Sequence, residues 1–578
     1  MPSILKQLVY TSVLAFGAFM MPGCSHSVAT NPVPGAFEYR EIYLPVSNPD
    51  ELHELGLNTV DEDWGLWGHN LANLLPEKPS LSVFARVEGN IDRHQFCFTS
   101  EKLYDYICDY IDDNYSRNDS INFAILPNDN DIVCLCTECV KAGNTYENAS
   151  PAVDRLINKL CKRYPNHTFF TSYYATTRSV PEKPQPANAG VLVSAIDYPL
   201  TSFSTPAEEK FAELLKSWQE KSGNVYVWDY INNFDDYLTP FPVLSAMQHR
   251  LRLYRDAGVD GVFLNGSGDD FSTFSHLHKV VLARLMIDPD LDWQEELRTA
   301  ALQYYPTAGH TIANYIIGQE AFADSTHVAL PLYEGVEKAL KSYLQADSVR
   351  QLYQNVNNHI RTAGGIERER LESLRDALSF TLLELNRIQH KHDNSAELLQ
   401  NLDNFPRQHT EYYNEALWPI ATYIGNYEVM LSRFNETDQS NLLKGVKLKA
   451  LNPLDEEYND ISVITDGYLG IPSNYHSGHL ISTADPSLSI VVPRTPAMKS
   501  IRVWLTYNPA YRIGLPLEVI MLVGGREFNV TPRKPQRDTG HSFVDFRIPE
   551  VRGDIKLIFL RDPDEGSFAI EEIQAFPN

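Results

Sequence analysis

The stretch SPAVDRLINKLCKRYPNHTFFTSYYATT, Ser150 to Thr177, sets one helix directly against one strand. Ser150 is expected as the N-cap with Pro151 at the first helical position, and Val153, Leu156, Ile157 and Leu160 recur on one face at helical spacing. Past Pro165 the texture changes to HTFFTSYYATT, whose aromatic and β-branched residues suit a strand.

The same alternation extends in both directions. SEKLYDYICDYIDDNY (100–115) carries a Ser100 cap and apolar positions at Leu103, Tyr106, Ile107 and Tyr110; NFAILP (122–127) follows as a short buried strand. NAGVLVSAIDYP is another strand, after which TPAEEKFAELLKSWQEKSG (205–223) repeats the helix recipe, with Thr205 as cap, Pro206 at N1 and Gly223 at C′. NVYVWDY (224–230) reads as a strand, PFPVLSAMQHRLRLYRDAG (240–258) as a helix closed by Gly258, and DGVFLNG (260–266) as another strand. Strands alternating with amphipathic helices mean βαβ units and a parallel sheet. With FEYREIYLP (37–45) as an earlier strand, the count suits an α/β fold of the TIM (β/α)8 type over 35–305, with a doubly wound sheet as the alternative. A helical segment is expected over 306–440, including GIERERLESLRDALSFTLLELNRIQ. The short strands LSIVVP, IRVWLTY, LEVIMLV, FVDFRI and IKLIFL predict a β-sandwich over 445–578.

A chain of 578 residues with 43% apolar and 11% aromatic content folds as several domains. Its net charge of −26 argues against nucleic acid, which rewards clustered Lys and Arg. No GxGxxG or Gly-Lys-Ser/Thr loop follows a strand, and no HExxH or GxSxG occurs, so no cofactor is expected. Near the N-terminus Lys6 precedes an apolar run ending in Met21-Pro22-Gly23-Cys24, too short to span a membrane. It resembles a lipoprotein signal over 1–24 in which Cys24 is acylated. The expectation is a cell-envelope protein anchored to the outer membrane, on the periplasmic side or at the cell surface.

In parallel barrels the C-terminal strand ends carry the chemistry. Here those ends supply Asn128-Asp129, Tyr173-Tyr174, Asp197, Trp228-Asp229-Tyr230 and Asn265. Such a ring suits a sugar, with aromatic faces for the pyranose and amides and carboxylates for its hydroxyls; the same residues also start loops and cap helices. Asp129 and Asp229 are candidates for proton donor and stabiliser. Asn128 could orient a 2-acetamido group beside the acid. His69, between Trp64 and Trp67 in DWGLWGHNL, either touches substrate or packs. Cys134, Cys136 and Cys139 in CLCTEC, with Cys97 from HQFCFTS, form either disulfides or structural thiols, or a four-thiolate structural zinc site.

The ordered series WGLWGHNL, QFCFTS, PNDNDIVCLCTEC, RLINKLCKRYPNHTFFTSYYATT, VYVWDYINNFDDYLTPFP, AGVDGVFLNGSGDD and MIDPDLDWQEELRTAALQYYPTAG resembles the domain of unknown function 4838 (DUF4838) found in Bacteroidetes, over roughly 37–320. The resemblance implies a hexosaminidase-related TIM barrel and retaining, substrate-assisted endo-β-N-acetylglucosaminidase chemistry on a glycan or glycoprotein. Asn128, Asp129, Trp228, Asp229, Tyr230 and His69 would then line the site, with Trp67 beside His69 a further candidate for substrate contact. Two departures qualify it. Many relatives carry an α/β domain before the barrel, whereas the barrel is expected here almost directly after the lipoprotein signal, and Asn265-Gly266 stands where relatives often carry Gln or Glu before Gly, which leaves a non-catalytic glycan-binding lipoprotein as the alternative. The C-terminal ITDGYLG and EEIQAF segments resemble a discoidin-like (F5/8 type C) carbohydrate-binding sandwich.

Overall fold

The computed structural model describes residues 34–46, 50–392, 394–405, 409, 411–437, 440–536, 539–550 and 553–577. The signal segment and Cys24 lie outside the described residues. Two compact units are present, residues 34–332 with 340–378, and residues 333–339 with 379–577.

The first unit is built on seven parallel strands: β1 (Tyr39–Tyr43), β2 (Trp64–Leu66), β5 (Asn122–Ala124), β6 (Thr168–Tyr173), β7 (Ala189–Ser194), β8 (Asn224–Tyr230) and β9 (Gly261–Asn265), in the order β1-β9-β8-β7-β6-β5-β2. Between β2 and β5 lies the antiparallel hairpin β3 (Phe84–Val87) and β4 (Asn90–Phe96). Helices α1 (Glu101–Asn114), α2 (Ser150–Arg163), α3 (Pro206–Gln219), α4 (Leu244–Asp256) and α5 (Ser275–Ile287) connect or follow the strands.

The helix boundaries follow local chemistry, with two differences from expectation. Ser100 and Thr205 cap α1 and α3 through their hydroxyls, and Glu208 completes a capping box at Thr205. Helix α2 takes Ser150 inside its first turn instead of as the cap; Asn148 Oδ1 accepts from the Ser150 amide (2.9 Å) and Asn144 Oδ1 from Ala152 (3.1 Å). Gly223 lies four residues past the end of α3, whereas Gly258 does follow α4 in the left-handed region, at φ 79°.

The sheet curls strongly. In register, Gly261 sits between Tyr39 on β1 and Tyr226 on β8. Residues two strands apart are normally separated by about 9.6 Å, yet these two rings stack with centroids 5.2 Å apart. They meet because glycine leaves the intervening position bare: a Cβ at Gly261 would stand 2.7 Å from the Tyr226 ring. Gly261→Ala is therefore expected to destabilise by about 1–3 kcal/mol through overpacking. An unchanged urea midpoint would show that the two rings are not locked over this glycine.

Curling brings β1, β2, β5, β6, β7 and β8 around one interior cluster of Tyr39, Trp64, Ala124, Leu126, Phe170, Leu192 and Tyr226. The result is a half-barrel of seven strands, where eight closed strands were expected. No eighth strand joins the sheet among the described residues, and the edge strands β1 and β2 do not pair. The β1 edge instead meets the chain just before β2. Asn58 donates its amide to Arg40 O (2.7 Å) and accepts at Oδ1 from the Arg40 amide (2.9 Å), while Trp64 Nε1 donates to Tyr39 Oη (2.9 Å). The two Asn58 bonds satisfy the Arg40 backbone on the edge of β1 away from β9.

The gap also holds Glu41, buried, receiving the Tyr39 hydroxyl and the Val60 amide (3.0 Å). Burial pushes its carboxyl up to about 8, against the opposing bonds from Tyr39 and Val60. A carboxyl raised on folding stabilises fully below its ordinary value near 4.5, and that contribution is lost as pH rises through about 8. The unfolding free energy is thus expected to fall across that window, by at most about 1.4 kcal/mol per pH unit, and the thermal midpoint with it. Glu41→Gln, which fixes the neutral form, should flatten the slope; an unaltered slope would assign it to other groups.

In the second unit, two five-stranded sheets, antiparallel except where Ile513–Gly514 pairs in parallel with the last strand, share one apolar core that includes Leu480, Leu488, Ile501, Val519, Val544, Ile555 and Ile570. The sequence reading expected short strands here, and these are the sheets they form. The helix anticipated at GIERERLESLRDALSFTLLELNRIQ spans Gly365–Gln389. Among the described residues no helix is long and apolar enough to cross a membrane.

Candidate active site at the strand C-termini

Alternation along each strand decides which residues face the half-barrel interior. On β8, Tyr226 and Trp228 face the interior and Asp229 the helices. Above the interior cluster, Trp67 stacks on Trp228 (5.0 Å, 8°) and packs against Phe263 on β9 (4.7 Å). Both tryptophans are half-buried, so this pair forms a partly open aromatic floor at the C-terminal end of the sheet.

Beside it stands a polar group drawn from β2, β5 and β6. Asp129, half-buried two residues past Pro127, accepts from the Tyr174 hydroxyl at 3.0 Å. His69, just past β2, meets the Pro127 carbonyl through Nδ1 at 2.5 Å and lies 6.0 Å, ring to ring, from Tyr174. A carbonyl only accepts, so Nδ1 carries the proton and a neutral ring keeps Nε2 as an acceptor. Burial raises the Asp129 carboxyl above the usual range; His69 and the Tyr174 bond oppose that shift, and Asp131 adds to it. The arrangement can therefore hold a proton on a carboxyl at the rim of an aromatic-floored mouth.

Other candidates lie around this group. Tyr230 is half-buried, with its hydroxyl 3.4 Å from Ser194 Oγ at the end of β7. Asn265 is half-buried between Tyr43 and Tyr230 in register. Asn128 is bound into the loop: its side-chain amide donates to His94 O (2.8 Å), while Gln95 holds its backbone on both sides (3.0 Å each). Asp197 is exposed in the loop after β7 and pairs with Arg178 (2.5 Å).

Two expected mouth residues point the other way. Asp229 is 1% exposed and faces the helix layer, accepting from Arg250 Nη1 (2.5 Å), Tyr254 Oη (2.5 Å) and the Tyr230 amide (2.8 Å). It fixes α4 to β8 and cannot meet a ligand at the mouth. Tyr173 also turns outward, its ring 6.4 Å from Trp218 on α3. The interior face holds the even-numbered neighbours, Tyr174 or Trp228 and Tyr230, because a strand presents alternate residues to its two sides.

The sequence reading missed β2, the hairpin and Gln95. Strand β2 is three residues long, too short for periodicity to show. The hairpin had a readable turn, since Glu88 and Gly89 both adopt positive φ (50° and 85°), the geometry of a two-residue turn. Cys97, just after that hairpin, and Cys134, Cys136 and Cys139 do come together; their four sulphurs all lie within 4.8 Å of one another.

Fold and site together define a class: a parallel α/β unit whose aromatic and acidic mouth opens at the strand C-termini. Residues 33–317, which contain the whole parallel sheet, match the family Domain of unknown function (DUF4838). No curated protein matches the sequence. A solved structure described as "putative alpha-L-fucosidase from Bacteroides thetaiotaomicron" aligns at 12% identity over 73% of this chain and 76% of that one. Its TM-score is 0.15, a level that bears on neither fold nor function.

Proposed function

We propose that the parallel-sheet unit is a glycoside hydrolase acting on N-acetylglucosamine-containing glycans by a retaining, substrate-assisted route. Asp129 is the general acid in this reading. The observation that carries it is the Asp129 carboxyl, half-buried, with raised proton affinity, held by Tyr174 beside the Trp67–Trp228 floor. With Asp229 turned outward, a route that draws the nucleophile from the substrate's own acetamide needs only one positioned enzyme acid. Tyr230 and Asn265 are the remaining polar groups for the acetamide and hydroxyls, and Trp67 and Trp228 take the apolar sugar face. Asn128 acts through the loop it secures. The sandwich would serve as a discoidin-like carbohydrate-binding module, and an acylated Cys24 would tether the protein to the cell envelope.

The direct test is release of glycan from an N-glycosylated protein by the purified chain, with Asp129→Asn as control. Release by the parent and loss in the variant are expected; equal release by both would sink the assignment. The same outward turn of Asp229 also favours a second reading, a glycan-binding protein without turnover. Oligosaccharide binding with no product across a glycan panel would select it.

A further inference from the structure

The four-cysteine cluster carries an inference that holds whatever the mouth binds. Cys97 follows β4, Cys134 and Cys136 lie in the loop after Asp129, and Cys139 lies within the short helix Thr137–Ala142 that Cys136 caps. Cys97 Sγ is 3.6 Å from Cys136 Sγ and 3.8 Å from Cys139 Sγ, and no pair is joined as a disulfide. Four thiolates around a tetrahedral zinc at about 2.3 Å stand about 3.8 Å apart. Two disulfides would give each sulphur a single partner at about 2.05 Å, with no need for all four to converge. The observed convergence is that of a coordination sphere.

The surroundings fit thiolates better than thiols. Cys134 Sγ accepts from the Arg86 amide (3.3 Å), and Cys136 Sγ from the Cys139 amide (3.5 Å), the contact that a CxxC turn makes around a metal. Thr99 Oγ1 lies 3.2 Å from Cys139 Sγ. Cys97, Cys134 and Cys139 are buried, and a sulphur anion buried there requires a cation.

We propose that Cys97, Cys134, Cys136 and Cys139 form a structural four-thiolate site for a zinc-class divalent cation. Binding converts four thiols and one dication into a tetrathiolate complex of net charge −2 and releases four protons to solvent. The amide and hydroxyl donors above offset part of that charge. The site fastens the hairpin to the loop on the far side of Asn128-Asp129, with Gln95 fastening the near side.

The test is metal analysis of the purified full chain. About one zinc per chain is expected, released by a thiol-modifying mercurial and retained against brief EDTA. Exchange with Co2+ alone should give the visible bands of tetrahedral cobalt with thiolate-to-cobalt charge transfer. Cys136→Ser, at the half-exposed ligand, should weaken metal retention at least tenfold; should it fail to fold, the cobalt spectrum of the parent decides. A chain without stoichiometric metal, a cobalt spectrum lacking charge transfer, or peptide mapping that finds a disulfide among these four would overturn the proposal.

Discussion

Asp129→Asn is expected to lower kcat by about 10²–10⁴ on natural glycans, the usual worth of a positioned general acid. The loss should shrink sharply on substrates with acidic aryl leaving groups, which depart without a proton. The pH profile separates this role from a structural one. Burial raises the Asp129 carboxyl, so the protonated form extends toward neutrality, and activity should fall as pH rises through the folded value. The variant should lack that limb. Tyr174→Phe should move the limb in a definite direction: the hydroxyl stabilises the ionised form, so deleting it raises the carboxyl further and shifts the limb to higher pH. An Asp129→Asn enzyme that keeps both its rate and its basic limb would remove Asp129 from the chemistry.

What the sequence made legible divides along a physical line. Periodicity identified β6 to β9 and α1 to α4, because each buries enough residues for its pattern to repeat. It could not reveal the curl, which depends on Gly261 lying between Tyr39 and Tyr226, a relation set by strand order and not by neighbours in the chain. The seven-strand count was hidden for a similar reason: β1 and β2 flank the sheet, and their gap is closed by Asn58 and Glu41. At the site, naming whole strand ends gathered the right neighbourhood but could not separate the two faces. Tyr173 and Tyr174 look equivalent as letters, yet one packs on Trp218 and the other reaches Asp129. The CxC and CxxC spacings of the cysteines were legible; that Cys97 completes the set depends on the hairpin, whose EG turn was the available signal.

Arg250→Met is expected to cost about 3–5 kcal/mol, since it strands a buried carboxylate without its cation. Arg250 and Asp229 are each 1% exposed, and their 2.5 Å contact lies between α4 and β8 with Tyr254 bound to the same carboxylate. The reverse change should cost less. In Asp229→Asn the guanidinium still donates to Tyr198 O (2.7 Å) and keeps Glu208 at 4.0 Å, so its charge retains a partner. The double variant should therefore be less destabilised than the two losses added together, and the shortfall measures the pair's coupling. Urea midpoints of the four proteins, taken with kcat on each that folds, distinguish the two uses a strand-end aspartate can have. A carboxylate that locks a helix to the sheet loses stability and couples to Arg250, whereas a reacting carboxylate loses turnover at unchanged stability and does not couple. The outward face of β8 requires the first outcome, and a stable, inactive Asp229→Asn would contradict the orientation of that strand.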